Sequence, residues 1–129
     1  MDKIRRIISE RSWQEINRAL EQAKHSAAGA PAALSDREFI EAVLWLSRTG
    51  SPWRDLPPAF GNWYAVHARF QRWEKRGVWH RLWQVLQREE FAAAGTLFID
   101  STSVRVHQHA AGAQKKTAAH KLWVALAAA

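Results

Sequence analysis

Cysteine is absent from this sequence of 129 residues, which excludes disulfide bonds and thiolate metal sites and fits a reducing cytoplasm. No apolar run approaches the roughly 20 residues of a transmembrane helix, and the N-terminus lacks the apolar region of a signal peptide. No glycine-rich phosphate loop and no serine or cysteine triad signature occurs. The sequence therefore predicts a cytoplasmic protein with no membrane partner and with none of these catalytic sites.

Acidic residues are few, since 12 Asp and Glu stand against 19 Lys and Arg, giving a formal net charge of +7 and a pI near 10.6. This excess favours a polyanionic partner, either nucleic acid or an anionic surface. Apolar residues make up 47% of the chain and include eight tryptophans. That content is enough for the core of one compact helical domain.

Capping boxes predict where the first two helices begin. The sequence S-W-Q-E at Ser12–Glu15 predicts the start of the first helix, and S-D-R-E at Ser35–Glu38 predicts the start of the second. Small residues at 26–33 connect the two helices. The second helix, 36–49, is strongly apolar and should end at Gly50, with a proline just beyond.

The stretch from Arg48 to Gly77 contains a proline-bearing loop followed by a third helix. Asn62 is a suitable N-cap, and apolar residues then recur with helical spacing. This apolar stripe consists of Trp63, Val66, Phe70 and Trp73. Basic residues outside this stripe are predicted to point outward, namely Arg69, Arg72, Lys75 and Arg76. Such a helix fits a DNA backbone or groove, although an ordinary solvated face has the same pattern.

Local charge favours the DNA-binding interpretation. Residues 62–88 contain six Lys or Arg and one acid, so they carry a net +5 of the chain's +7. The candidate nucleic-acid-binding residues are Arg54, His67, Arg69, Arg72, Lys75, Arg76 and Arg81. Helices 36–49 and 62–76 would form a helix-turn-helix variant with a long connecting loop.

The pattern changes in the last third of the chain. A fourth helix is predicted over Val78–Phe91, and then Thr96–Asp100 and Val104–His107 are typical of two strands joined by a turn. The predicted fold is therefore mainly α, a small helix-turn-helix-like bundle followed by a β-hairpin. Five tryptophans of the helices are expected to be largely buried: Trp45, Trp63, Trp73, Trp79 and Trp83.

Asp100 is the one carboxylate side chain after Glu90. At the end of a strand it could bind a metal ion, but its spacing from the following serines favours a turn-capping role. Two-metal phosphoryl transfer needs several carboxylates, which one Asp cannot replace. His107 and His109 could provide two zinc ligands but lack a third. The residues alone leave both roles of Asp100 open.

Three ordered blocks of sequence carry a family resemblance: R-T-G-S-P-W-R-D-L-P-P-A-F-G-N-W, R-F-Q-R-W-E-K-R-G-V-W and F-I-D-S-T-S-V-R-V-H-Q-H-A-A-G-A-Q-K-K. Over Leu34–Lys116 the chain resembles the N-terminal half of bacterial DDE transposases of the "insertion sequence five" family. The resemblance implies helices that bind the element's terminal inverted repeats. It also implies that Asp100 is the first of three Mg²⁺-binding acids in an RNase H-like catalytic domain.

The end of the chain departs from this family. After the pair Lys115–Lys116, residues 117–129 do not resemble the family's continuation to a second Asp and a Glu. The expectation is an unshifted first-frame product or a frame-damaged relic. The predicted organisation is a helical DNA-binding domain at 1–94, the first hairpin of a truncated RNase H-like domain at 95–110, and a poorly specified tail at 111–129.

Three functions follow as hypotheses. The first is a DNA-binding transposase portion that recognises inverted repeats and is catalytically incomplete alone. The second is an active DDE transposase completed by frameshifting or by a second-half polypeptide in trans. The third is a tryptophan-rich RNA-binding or interaction module, which the three ordered blocks disfavour. Double-stranded DNA is the expected partner, and homo-oligomer formation stays open. The resemblance implies Mg²⁺ for the complete transposase, whereas no cofactor is expected for this chain alone.

Overall fold

The computed structural model describes residues 6–24 and 34–101, and every regular element within these ranges is helical. The five α-helices are α1 (Glu10–Ala23), α2 (Asp36–Thr49), α3 (Trp63–Lys75), α4 (Val78–Leu86) and α5 (Ala92–Ser101). Three short 3₁₀ turns lie at Trp53–Asp55, Pro58–Phe60 and Glu89–Phe91. The prediction of a mainly helical fold is confirmed for this part of the chain. None of its helices is long and apolar enough to cross a membrane.

Helix α1 begins one turn earlier than predicted. Ser9, not Ser12, is the N-cap: its backbone is extended and its side chain accepts a hydrogen bond from the Ser12 N–H at 3.1 Å. The predicted box at Ser12–Glu15 is wrong because Ser9 offers the same capping oxygen three residues earlier. Glu15, the supposed partner in that box, is buried and accepts the Ala94 N–H at 3.1 Å.

Helix α2 has the predicted ends. The Ser35 side chain accepts the Glu38 N–H at 3.2 Å, and Gly50 ends the helix in the left-handed conformation with φ 71°. A glycine meets little steric cost in that conformation. The chain before α1 is held against α2, because the buried Glu41 carboxylate accepts the N–H groups of Ile7 at 3.1 Å and Ile8 at 2.6 Å.

The core lies between α2 and the surrounding helices. The apolar side chains of α2 that face inward are Phe39, Ile40, Val43, Leu44 and Leu46, all at most 1% exposed. Helix α1 packs against α4 and α5, and α3 packs against α4. Rings from three helices meet at the centre of this core. The ring centroids of Phe39 and Trp73 are 4.9 Å apart, and those of Phe70 and Trp79 are 4.7 Å apart.

The expected burial of the tryptophans is confirmed for three of them. Trp73, Trp79 and Trp83 are buried, and the Trp79 indole N–H donates to the Phe70 carbonyl at 3.0 Å. Trp45 and Trp63 are only partly buried and pack against the edge of the core.

The predicted strand at Thr96–Asp100 is wrong, because these residues belong to helix α5. Ala94, Phe98 and Ser101 are buried at helical spacing, which places one face of α5 against the core. Gly95 permits a close approach to α4, since a Cβ there would lie 2.6 Å from the Leu86 carbonyl oxygen. These contacts override the β-type composition of the segment.

Two further predictions concern the same end of the chain. Helix α4 stops at Leu86, and a 3₁₀ turn at Glu89–Phe91 replaces its predicted last turn. The predicted second strand, Val104–His107, lies outside the described residues, as do most of the hairpin at 95–110 and the tail at 111–129. The division of the chain into these domains stays a prediction.

Candidate nucleic-acid interface

The proline-bearing loop before α3 is packed rather than open. Its apolar side chains Trp53, Leu56 and Phe60 are all buried, so the loop is anchored to the core at three points. At its end, the Asn62 side chain accepts the Tyr64 N–H at 2.9 Å and caps α3 as predicted. The loop therefore fixes both the starting residue and the orientation of α3.

Arg69 does not point outward as predicted. Its guanidinium donates to the Leu34 carbonyl at 2.7 Å, forms an ion pair with Asp36, and lies 4.4 Å above the Phe39 ring. Only 12% of the side chain is exposed. Burial lowers the pKa of the Arg69 guanidinium from its ordinary value, and the charge of Asp36 opposes that shift. The helical position of Arg69 borders the apolar stripe, so its long stem can turn inward.

Asp36 also binds a second cation. Lys24 Nζ lies 2.8 Å from Asp36 Oδ2 and 4.9 Å from the centre of the Trp73 ring. The Arg69 guanidinium is 5.6 Å from the same ring. This Lys24–Asp36–Arg69 cluster joins the end of α1, the start of α2 and the middle of α3.

Arg81 is also engaged within the fold. Its Nε donates at 2.7 Å to the carbonyl of Ala23, the last residue of α1. The side chain passes close to Gly77, where an added Cβ would lie 2.9 Å from an Arg81 nitrogen. Its part in the fold is thus to join α4 to α1.

His67 faces inward and Arg54 faces solvent, although both were predicted to contact nucleic acid. The His67 ring lies 4.7 Å from Trp53 and 6.3 Å from Trp63, and its Nε2 is buried without a partner in the described part of the chain. The exposed Arg54 lies with its guanidinium 5.5 Å from the Trp63 ring, beside the first turn of α3.

The outer face of α3 contains the other predicted cations. We define this face by Tyr64, Ala68, Arg72 and Lys75, which fall within about 80° of one another at 100° per residue. Tyr64, Arg72 and Lys75 are exposed and Ala68 is half-exposed, and Arg76 adds another exposed cation beside them. Within residues 6–24 and 34–101, none of these three cations forms an ion pair.

A shallow groove runs along one side of this face. It lies between α3 and the turn at Pro58–Phe60, has a volume of about 370 Å³, and has Arg72 at its rim. Its lining is largely apolar and includes Leu34 and Phe60. The basic surface of α3 therefore borders an apolar depression instead of an acidic one.

Asp100 lies in the last turn of α5 and is exposed. Among the described residues, no three His, Asp or Glu side chains come together as possible ligands of one metal ion. The described residues alone therefore do not supply the set of acids that the family resemblance implies for Mg²⁺, and a role of Asp100 in such a site stays a prediction.

Comparison with protein families identifies the chain. The family described as "Putative transposase of IS4/5 family" matches residues 8–83, which is more than half of the sequence. The chain belongs to the IS4/5 transposase family. The resemblance drawn from the three sequence blocks is confirmed, and the matched span includes all of α1, α2 and α3.

Two curated relatives are similar to most of this chain, and one of them is named as an insertion-element protein. "Uncharacterized protein y4sN" of Sinorhizobium fredii is 45% identical over 96 residues, covering 73% of this chain and 75% of the relative. "Insertion element IS402 uncharacterized 16.2 kDa protein" of Burkholderia cepacia is 33% identical over 107 residues, covering 77% and 73%. No solved structure matches this chain.

Proposed function

We propose that this chain is the DNA-binding portion of an insertion-sequence transposase and that α3 contacts duplex DNA at the element's terminal inverted repeats. The observation that carries the proposal is the outer face of α3, where Arg72, Lys75 and the adjacent Arg76 are exposed side by side and have no acidic partner among residues 6–24 and 34–101. Duplex DNA presents closely spaced phosphates, which such a row of cations can bind. Membership in the IS4/5 family supports a DNA substrate.

The arrangement of α2 and α3 supports a helix-turn-helix variant. The two helices contact each other through Phe39 and Trp73, and residues 50–62 connect them as a packed loop with two 3₁₀ turns. In a helix-turn-helix protein, the second helix enters the major groove and the first crosses the backbone. Here α3 would be the recognition helix, and Arg54 beside its first turn would reach a phosphate.

The contacts of Arg69, Arg81 and His67 change which residues we assign to DNA. These side chains bind within the fold, so we assign phosphate contact to Arg54, Arg72, Lys75 and Arg76. Four contacts would give a log–log salt slope of about −3.6, at about −0.9 per phosphate.

The test is a binding titration with an inverted-repeat duplex at several salt concentrations. The triple variant Arg72→Gln, Lys75→Gln, Arg76→Gln should weaken binding and reduce the slope by roughly three contacts' worth, about 2.7. A control is Arg11→Gln, because Arg11 on α1 is also exposed, with 87% of its side chain accessible and a 3.9 Å ion pair to Glu15 one turn away. An equal loss per charge in the control and the triple variant would contradict the assignment to α3.

The 129-residue polypeptide is further proposed to bind DNA without cleaving it. Asp100 is the one carboxylate side chain that follows Glu90 in this sequence, and a pair of catalytic metal ions needs several. Completion in trans by a second-half polypeptide is the alternative. A cytoplasmic location and homo-oligomer formation stay predictions.

A further inference from the structure

We propose that Tyr64 and Ala68 contact thymine methyl groups in the major groove, so that the first half of the outer face of α3 carries sequence discrimination. This inference rests on the proposed function, because it requires that α3 enters duplex DNA. Arg72 and Lys75, in the second half of the same face, then supply affinity that does not depend on sequence.

Tyr64 is the large hydrophobic side chain that the described part of the chain leaves exposed, at 65%. A single exposed aromatic residue is ordinary on a protein surface, so exposure alone carries no function. Its position is what matters, because it lies in the first turn of α3 on the same face as Arg72 and Lys75. Recognition helices use their first residues to contact base edges.

The Tyr64 ring is supported from below. It meets the Trp63 ring edge-on, with centroids 5.7 Å apart and planes at 80°. The Arg54 guanidinium lies 5.5 Å from the centre of the same Trp63 ring. The backbone at Tyr64 is fixed by its hydrogen bond to Asn62. A supported ring with two side-chain torsions loses little conformational entropy on binding. This makes Tyr64 a suitable contact residue.

Small side chains lie beside Tyr64. Ala68 follows one turn later on the same face, and Ala65 is exposed on the side of the groove. Neither has a long side chain to hold the helix axis away from the floor of a DNA groove. Alanine methyl groups and aromatic rings are the apolar partners that thymine C5-methyl groups accept in the major groove. The Tyr64–Ala68 pair therefore favours thymine over cytosine or a purine at the contacted positions.

The basic residues bracket this apolar pair. Arg54 lies at the start of α3, and Lys75 and Arg76 lie at its end. The helix rises about 16 Å between Tyr64 and Lys75, at 1.5 Å per residue. The major groove is about 12 Å wide, so cations at the two ends of α3 can reach phosphates on both strands. Tyr64 and Ala68 would then face the base edges between them.

The test is selection of bound duplexes from a random library with the 129-residue chain, followed by replacement of thymine by uracil in a selected duplex. Uracil differs from thymine only by the lost methyl group. The wild-type chain should enrich thymine, and it should bind the uracil duplex roughly four-fold more weakly for each methyl contacted, from the value of one buried methylene. Tyr64→Ala should abolish the part of this thymine–uracil difference that Tyr64 carries, while Tyr64→Phe should keep it.

The salt slope separates the proposal from its alternatives. Tyr64→Ala should leave the slope unchanged, because the side chain is uncharged, and circular dichroism should show unchanged helicity, because the ring is exposed. A thymine–uracil difference that is as large in Tyr64→Ala as in the wild type would overturn the assignment. Unchanged DNA selection together with lost self-association would show that Tyr64 contacts a second copy of the chain, which also overturns it. A wild-type chain that binds no duplex would overturn the proposed function itself.

Discussion

Arg69 and Arg72 are three residues apart on α3, yet they belong to different environments. Arg69 is almost enclosed by Asp36, Leu34 and two aromatic rings, whereas Arg72 is exposed at the rim of a groove. Three residues turn a helix by about 300°, so the two side chains leave α3 about 60° apart. That rotation is enough to separate a cation that holds helices together from one that is available to a partner.

The largest effect should come from a substitution on the buried face of α3. Trp73→Ala should lower the free energy of unfolding by about 3–5 kcal/mol, because it removes a buried ring from the centre of the core. Trp73 also supports Lys24 and Arg69, whose charges lie over its ring. Chemical denaturation is the measurement. A loss below about 1 kcal/mol would mean that the ring is not in the core and that the inner face is misassigned.

Arg69→Gln should have the next largest effect, also on stability. The substitution removes the ion pair to Asp36 and weakens the contact with the Leu34 carbonyl, and hydrogen bonds to charged groups are worth about 1.5–3 kcal/mol. Asp36 keeps Lys24 as a partner, so we expect the lower end of that range. Unfolding measured beside Arg72→Gln provides the control. Equal stability of the two variants would remove the distinction between the two arginines.

Arg72→Gln should act on DNA binding instead of stability. Its unfolding free energy should stay within about 0.5 kcal/mol of the wild type, as for most surface substitutions. The log–log salt slope for duplex binding should become shallower by about 0.9, the value of one phosphate contact. A salt titration by fluorescence anisotropy would measure it. If Arg72→Gln leaves the slope unchanged in a folded protein, the phosphate-binding surface lies elsewhere.

The smallest effect is expected at Asp100, which belongs to neither face of α3. The chain incubated with an inverted-repeat duplex and Mg²⁺ or Mn²⁺ should produce no nicks, because one carboxylate cannot hold two divalent ions. Asp100→Ala should then bind the duplex with unchanged affinity. Gel analysis of nicked strands is the measurement. Metal-dependent cleavage that disappears in the Asp100→Ala variant would show that further acids are supplied from another source.

Local signals predicted the helices that position the site. Ser35, Gly50 and Asn62 act through residues no more than four positions away, so their capping roles are visible in the sequence. Helix α5 was predicted as a strand because the contacts that hold it lie outside the pattern of the segment itself. Glu15 binds the Ala94 N–H across 79 positions, and Gly95 packs on Leu86.

Local patterns likewise predicted only part of the candidate site. The helical wheel places Arg72 and Lys75 outward, which the structure confirms, but Arg69 has a partner 33 positions away that no wheel contains. Charge alone does not single out Tyr64, although the helical wheel places it beside Lys75 on the same face. DNA contact by any of these residues stays a prediction.

The ion pair between Lys24 and Asp36 has a consequence for the chain between them. Their side chains meet at 2.8 Å, so the ion pair joins the two ends that residues 25–35 connect in the sequence. The entropy of closing such a loop grows slowly with length, by about 0.6 kcal/mol for each doubling. Helices α1 and α2 can therefore keep their relative position while the connector gains or loses residues. This makes the connector the natural place to insert a fluorescent label or an affinity tag.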